Sequence, residues 1–161
     1  MSWSRRSAIL AVLALAGCGF SPVYGPGGTG TRLFGQVRAA DPRTPDDFSF
    51  AGRIAERLGP DAGGRFLLDY RLRIAVVPQA ITPDEVTTRY ALNGTADFTL
   101  TEATTGREVT RGQVSSFTSY STTGTTIATM AAEQDAHERL ARMLADQVVT
   151  RLLAVAPDAV P

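Results

Sequence analysis

The sequence predicts an α+β fold: a two-layer sandwich of two helices on a four-stranded, mostly antiparallel sheet, in the order β-α-β-β-β-α. Three observations carry it. Residues 66–76 and 90–100 alternate apolar and polar side chains with period two. Residues 45–58 and the stretch after 126 instead repeat apolar residues at helical spacing. Glycine-, proline- and threonine-rich breaks separate these runs.

Thr31 to Ala39 places Leu33, Gly35 and Val37 on one face and is expected to be a short strand, pairing in either sense. Thr44-Pro45-Asp46-Asp47 reads as a helix start: Thr44 caps, Pro45 suits the first helical position, and the carboxylates favour the positive end of the dipole. Phe48, Ala51, Ile54, Ala55 and Leu58 form its apolar side, and Gly59-Pro60 stops it. The clearest strand sets Phe66, Leu68, Tyr70, Leu72, Ile74 and Val76 against Arg65, Asp69, Arg71 and Arg73; Pro78 is expected to end it, with a loop over 79–85. Tyr90, Leu92, Ala96, Phe98 and Leu100 define the third strand, and Thr104-Thr105-Gly106 a hairpin turn. The fourth, 107–120, changes phase: Val109 is odd, whereas Val114 and Tyr120 are even, which suggests a β-bulge at Gly112. A last helix carries the stripe Leu140, Leu144, Val148 and Leu152, widened by Ala136, Ala141, Met143 and Val155, and is expected to end at Pro157. One sheet face is buried under both helices; the other, with Arg71, Arg73, Arg89 and many threonines, stays polar and accessible.

The N-terminus carries a different signal. Arg5-Arg6 precede the apolar run Ala8 to Ala14, which ends in Leu15-Ala16-Gly17-Cys18. Basic, then apolar, then small residues make a secretory signal peptide, and the run is about half the ~20 residues of a membrane span. Leu-Ala-Gly-Cys is the lipobox pattern of bacterial lipoproteins, with cleavage between Gly17 and Cys18 and diacylglycerol on the Cys18 thiol. Two or more acyl chains make attachment effectively stable, at ~0.8 kcal/mol per buried methylene. Arg5-Arg6 also resembles a twin-arginine signal, but no cofactor that would require folding before export is indicated. Gly19, rather than Asp, follows the cysteine and resembles the pattern sorted to the outer membrane. The expected division is 1–17 signal peptide, 18–30 lipidated flexible tether rich in Gly and Pro, 31–156 a single α+β domain, and 157–161 a tail.

Composition narrows function further. All 16 basic residues are arginine, and without Arg5 and Arg6 the balance is 14 basic against 16 acidic, so no basic excess points to nucleic acid. Cys18 is the chain's one cysteine, so lipidation leaves neither a disulfide nor a thiol nucleophile. His137 has Glu133 at i−4 and Asp135 at i−2, too few partners for catalysis or a metal centre. No catalytic residue, metal or cofactor is therefore expected. Asn93-Gly94-Thr95 matches a glycosylation sequon but reads more simply as a strand position beside a bulge or close packing point. The glycines of 25–30 lack the Lys and helix of a phosphate loop. Arg71, Arg73 and Arg89 are either a solvated face or contacts for a phosphorylated lipid, whose phosphates match guanidinium forks.

Cys18-Gly19-Phe20-Ser21-Pro22-Val23-Tyr24-Gly25 resembles the mature start of the lipopolysaccharide (LPS)-assembly lipoproteins of alphaproteobacteria, Cys-Gly-Phe-x-Pro-Leu-Tyr-Gly, with Val23 in place of Leu. The resemblance extends as pattern through Arg53 to Leu58, Tyr70-Arg71-Leu72, Arg89-Tyr90-Ala91-Leu92, the Thr-Gly hairpin and the final helix. It implies two helices on a four-stranded sheet and a non-enzymatic, lipid-anchored role on the periplasmic side of the outer membrane. Such a lipoprotein assists assembly of an outer-membrane β-barrel, plugs it, and takes part in LPS delivery to the outer leaflet. Two alternatives stay open: an auxiliary lipoprotein of a lipid-transporting ABC system, and a periplasmic hydrolase lacking a visible nucleophile–base pair. Cys18→Ala is expected to leave an uncleaved precursor that takes up no labelled palmitate; an acylated variant in the outer membrane would refute the lipobox reading.

Overall fold

The computed structural model describes residues 25, 28–81 and 87–159. The expected signal peptide, Cys18 and all of the tether before Gly25 lie outside them. In chain order the elements are α1 (Thr29–Leu33), β1 (Val37–Ala39), α2 (Pro45–Leu58), β2 (Phe66–Ile81), β3 (Thr87–Glu102), β4 (Glu108–Ser121) and α3 (Thr126–Ala159). One sheet has the order β1-β2-β3-β4. β1 pairs parallel with β2, and the other neighbours are antiparallel. The parallel pair follows from the connection, since α2 carries the chain back across the sheet before β2 begins. The α+β sandwich and the order β-α-β-β-β-α are as expected, with α1 as an added third helix.

The N-terminal part departs most from expectation. Residues 31–39 are not one strand: a five-residue helix ends at Leu33, and only Val37–Ala39 form a strand. Gly35 at φ 68° turns the chain between them, so Leu33 and Val37 reach the core from different elements. α1 also begins at Thr29, inside the glycine-rich stretch, and Gly30 is buried.

α2 spans the expected residues for the expected reason. The Thr44 Oγ1 accepts from the Asp47 amide, while the Asp47 carboxylate accepts from the Arg43 and Thr44 amides at 3.1 and 3.0 Å, a reciprocal cap. Its apolar stripe, however, is Phe50, Ile54 and Leu58. Phe48 is 63% exposed, because Phe50, whose ring centre lies 4.5 Å from that of Tyr70, sets the helix phase two residues later.

β2 runs through Pro78 to Ile81 instead of stopping at the proline. The hydrogen bonds explain why. Phe66 donates to Gln36 and Leu68 accepts from Ala40, so even residues of β2 point their backbone groups away from β3. Pro78 is even, and its missing N–H falls on the open edge, where no ladder bond is lost. The phase change in β4 is present, but the irregularity lies at Val109, between Glu108 and Thr110, rather than at Gly112. Gly112 pairs regularly with Phe98, and a Cβ there would stand 3.0 Å from the Phe98 ring. α3 continues past Pro157 to Ala159 instead of ending at the proline.

The core lies between one sheet face and the helices. Leu140, Leu144, Val148 and Leu152 of α3 are at most 1% exposed, flanked by buried Ala136, Ala141, Ala145 and Val149. Their seat is Gly94 on β3: a Cβ there would lie 3.0 Å from both Leu140 and Leu144. α2 is fastened to α3 by the Arg53 fork on Asp146 (3.0 and 3.1 Å), by Arg57 on the same carboxylate (2.6 Å), and by His137 Nδ1 with Asp46 (3.1 Å). Gly94→Ala should lift α3 off the sheet and lower stability by about 1–3 kcal/mol, as overpacking does; the denaturant midpoint against wild type checks this.

Candidate binding face

The sheet face opposite the helices is open, and it carries the arginines singled out above. Strand register arranges it in rows across three strands: Asp69-Thr99-Arg111, Arg71-Asp97-Gln113, Arg73-Thr95-Ser115 and Ala75-Asn93-Phe117. Asp97 is the hub. It takes an ion pair from Arg73 at 2.6 Å and a hydrogen bond from Gln113 at 2.6 Å. Arg73 also donates to the Thr95 hydroxyl at 3.4 Å. Arg71 stands opposite the same carboxylate and is exposed, with no ion pair of its own among the described residues. Arg71 and Arg73 are thus brought together. Arg89 is not: it lies opposite Ser121, six residues along β3 from Thr95, or roughly 20 Å away at strand rise.

A shallow groove of about 680 Å³ crosses this face, lined by Arg73, Ala75, Asn93, Thr95, Ser115 and Phe117 among others. Its ends differ chemically. Arg73 supplies charge, and Phe117, 74% exposed, supplies an aromatic face. Phe117 was legible in the sequence: once Val114 and Tyr120 are placed inward, period two puts 117 outward. The groove suits an amphiphile with an anionic group near Arg71 and Arg73 and apolar matter along Phe117.

A second cleft, of about 760 Å³, lies where β1 ends, between the free side of β2 and the start of α2. His137 and Asp46 meet at its wall. Neither neighbour of His137 in sequence joins them: Asp135 pairs with Arg139, and Glu133 reaches Tyr120. The Tyr70 hydroxyl in this cleft is pushed up to about 12 by burial first and then by Asp47 and Asp41, so it stays neutral at physiological pH. Among the described residues no group of three or more His, Cys, Asp or Glu could hold a metal ion, and no helix is long and apolar enough to cross a membrane. Cys18 and Gly17 lie outside the described residues.

Comparison with known proteins bears on the whole domain. A family model described as LptE, lipopolysaccharide-assembly, matches residues 35–152, from the turn before β1 to the last buried leucine of α3. Among solved structures, a lipoprotein of Caulobacter crescentus aligns with a TM-score of 0.67 at 17% identity, covering 81% of this chain and 96% of that one. The rare lipoprotein B of Shewanella oneidensis aligns at 0.54 and 12% identity, covering 74% and 92%. Lipoprotein B of Nitrosomonas europaea aligns at 0.56 and 9% identity, covering 76% and 83%. At such identities these likenesses show a shared fold. No curated protein matches the sequence.

Proposed function

Because the chain belongs to the LptE family of lipopolysaccharide-assembly proteins, we propose that it is a lipid-anchored outer-membrane lipoprotein that assists assembly of the β-barrel LPS translocon and plugs it. The observation that carries this is the extent of the family match, which takes in every strand and the core of α3; the Leu15-Ala16-Gly17-Cys18 pattern after an apolar run supports the anchor. The anchor holds the domain at the periplasmic side, and the domain acts by binding rather than by chemistry. In this reading Arg71 and Arg73 meet LPS phosphates through charge-assisted hydrogen bonds. Asp97 sets their strength, because a phosphate must compete with that carboxylate for Arg73, whereas Arg71 has no ion pair among the described residues. The groove beside Phe117 receives apolar parts of the same ligand.

Mild-detergent purification of the tagged native lipoprotein tests the partner. A stoichiometric protein of barrel size is expected, and recovery with inner-membrane transporter subunits instead would favour the auxiliary role in a lipid-transporting ABC system.

The arginines are tested separately. Arg71→Glu with Arg73→Glu should weaken LPS binding at least tenfold with an unchanged circular dichroism spectrum, and wild-type binding should weaken as salt screens the charges. Unchanged binding by a folded double variant would make this face ordinary solvated surface.

A further inference from the structure

We propose that the place in the helix layer beyond the start of α2 is a docking site for an amphipathic helix of a partner protein, apolar along one side and basic at its C-terminal end. The layer over the inner sheet face is unequally filled. α3 has 34 residues and runs for about 50 Å, whereas α2 has 14 and covers about 20 Å. The two point the same way, since Asp46 meets His137 at one end of α2 and Arg53 and Arg57 meet Asp146 toward the other. α2 therefore begins level with His137, and the first turns of α3, Thr126 to Ala136, extend past it. α1 does not fill the gap: it sits at the opposite end of α2, where the Gly35 amide donates to the Leu58 carbonyl.

Both walls of this vacant lane are apolar and open. Met130 lies seven residues, about two helical turns, before His137, and so on the side of α3 that meets α2. It is 65% exposed, and Ile127, about one turn earlier, is 82% exposed. Facing them runs the inner side of β2. Leu72 and Ile74 are half-buried and line the cleft of about 760 Å³ together with His137; Val76, next on that side, is 46% exposed. From His137 to Met130 is about 10 Å at helix rise, and from Ile74 to Val76 about 7 Å at strand rise, so the walls run alongside each other. Farther back on the same side of β2, where α2 is present, Phe66 and Leu68 are fully buried. Large apolar side chains left open only where the second helix is missing mark an interaction site. A helix laid there would meet both walls with one apolar stripe.

Charge at the inner end selects the partner's polarity. Five aspartates line the cleft there, against Arg43 and Arg71. Asp46 is held by His137, Asp47 by the cap of α2 and Asp97 by Arg73. Asp41 and Asp69 make no ion pair among the described residues, so the excess is acidic. A helix in line with α2 that turns its C-terminus toward the start of α2 brings a basic last turn to these carboxylates. It also sets the negative end of its own dipole against the positive end of α2. The proposal goes beyond the LPS reading and makes no use of the open sheet face.

The probe is a blocked, labelled fourteen-residue helical peptide of leucine, alanine and glutamine, with its leucines in one stripe and three lysines in its last turn. Anisotropy follows its binding to the full lipoprotein in phosphatidylcholine nanodiscs, with empty nanodiscs as the blank. It should bind at least tenfold tighter than a peptide of the same composition with the leucines scattered, and tighter than one with the lysines in its first turn. Ile127→Asp with Met130→Asp should weaken binding at least tenfold with an unchanged melting temperature, because both positions are exposed and carboxylates suit the start of a helix. Val76→Thr, on the opposite wall, should weaken it as well. LPS binding should be unchanged in all these variants, so this proposal and the arginine-face reading fail separately. Equal binding of the scattered peptide, full binding by the double variant, or a preference for lysines in the first turn would each overturn the proposal. So would self-association of wild type that the double variant loses, which would make a second copy the occupant. Loss of LPS binding in the double variant would do the same, making the lane an acyl-chain site.

Discussion

Everything in this fold depends on how closely α3 lies against β3. Gly94 leaves room for Leu140 and Leu144 to rest on the strand backbone, and that contact sets the distance at which Val148 and Leu152 meet the sheet. Each such side chain, fully buried, contributes about 1.5–3 kcal/mol. A whole domain is stable by only about 5–15 kcal/mol, so a misplaced α3 would forfeit the fold. The same seat determines where α2 can sit, because α2 packs against α3 as well as the sheet.

The polar links between the helices act on register more than on stability. Arg53, Arg57 and Asp146 are each about a third exposed, and ion pairs in such settings are worth about 0–1 kcal/mol. Their effect is geometric. With Asp146 holding the last turns of α2 and His137 holding Asp46 in its first, α2 cannot slide along α3. It therefore starts opposite Tyr70 and leaves Leu72, Ile74 and Val76 only partly covered. One short helix beside a long one is the origin of both the cleft and the open edge.

Most of this architecture was legible from periodicity. The even face of β2, the inward residues of β3 and the stripe of α3 are where alternation and helical spacing place them, because each pattern is long enough to average out local exceptions. Failures came where one residue decides. Gly35 divides 31–39 into a helix and a strand, a choice that short apolar runs do not reveal. Phe48 and Phe50 are both bulky and apolar, and only the contact with Tyr70 selects between them. Pro78 is compatible with a strand only if its nitrogen faces outward and meets no partner there, which its parity and the three-residue length of β1 together secure. On the open face, the nearness of Arg71 to Arg73 follows from strand rise, but their different freedom rests on Asp97, which pairing register alone brings beside them. Arg89 shares their parity but not their neighbourhood.

The three-residue length of β1 has a mechanical consequence. Tension arriving from the N-terminal side enters the domain through α1 and β1, whose holds are the buried side chains Leu33 and Val37 and a few bonds to the start of β2. The links of Gly35 to Leu58 and Ala62, and of Arg38 to Asp61, add to these holds. The β2–β3–β4 meander and α3 lie beyond that joint and do not carry the load until it gives. Segments with few buried contacts open locally at low free-energy cost, so under strain β1 would peel away first. That release lengthens the chain between the pulling point and the sandwich, while the hydrophobic layer beneath α3 stays closed.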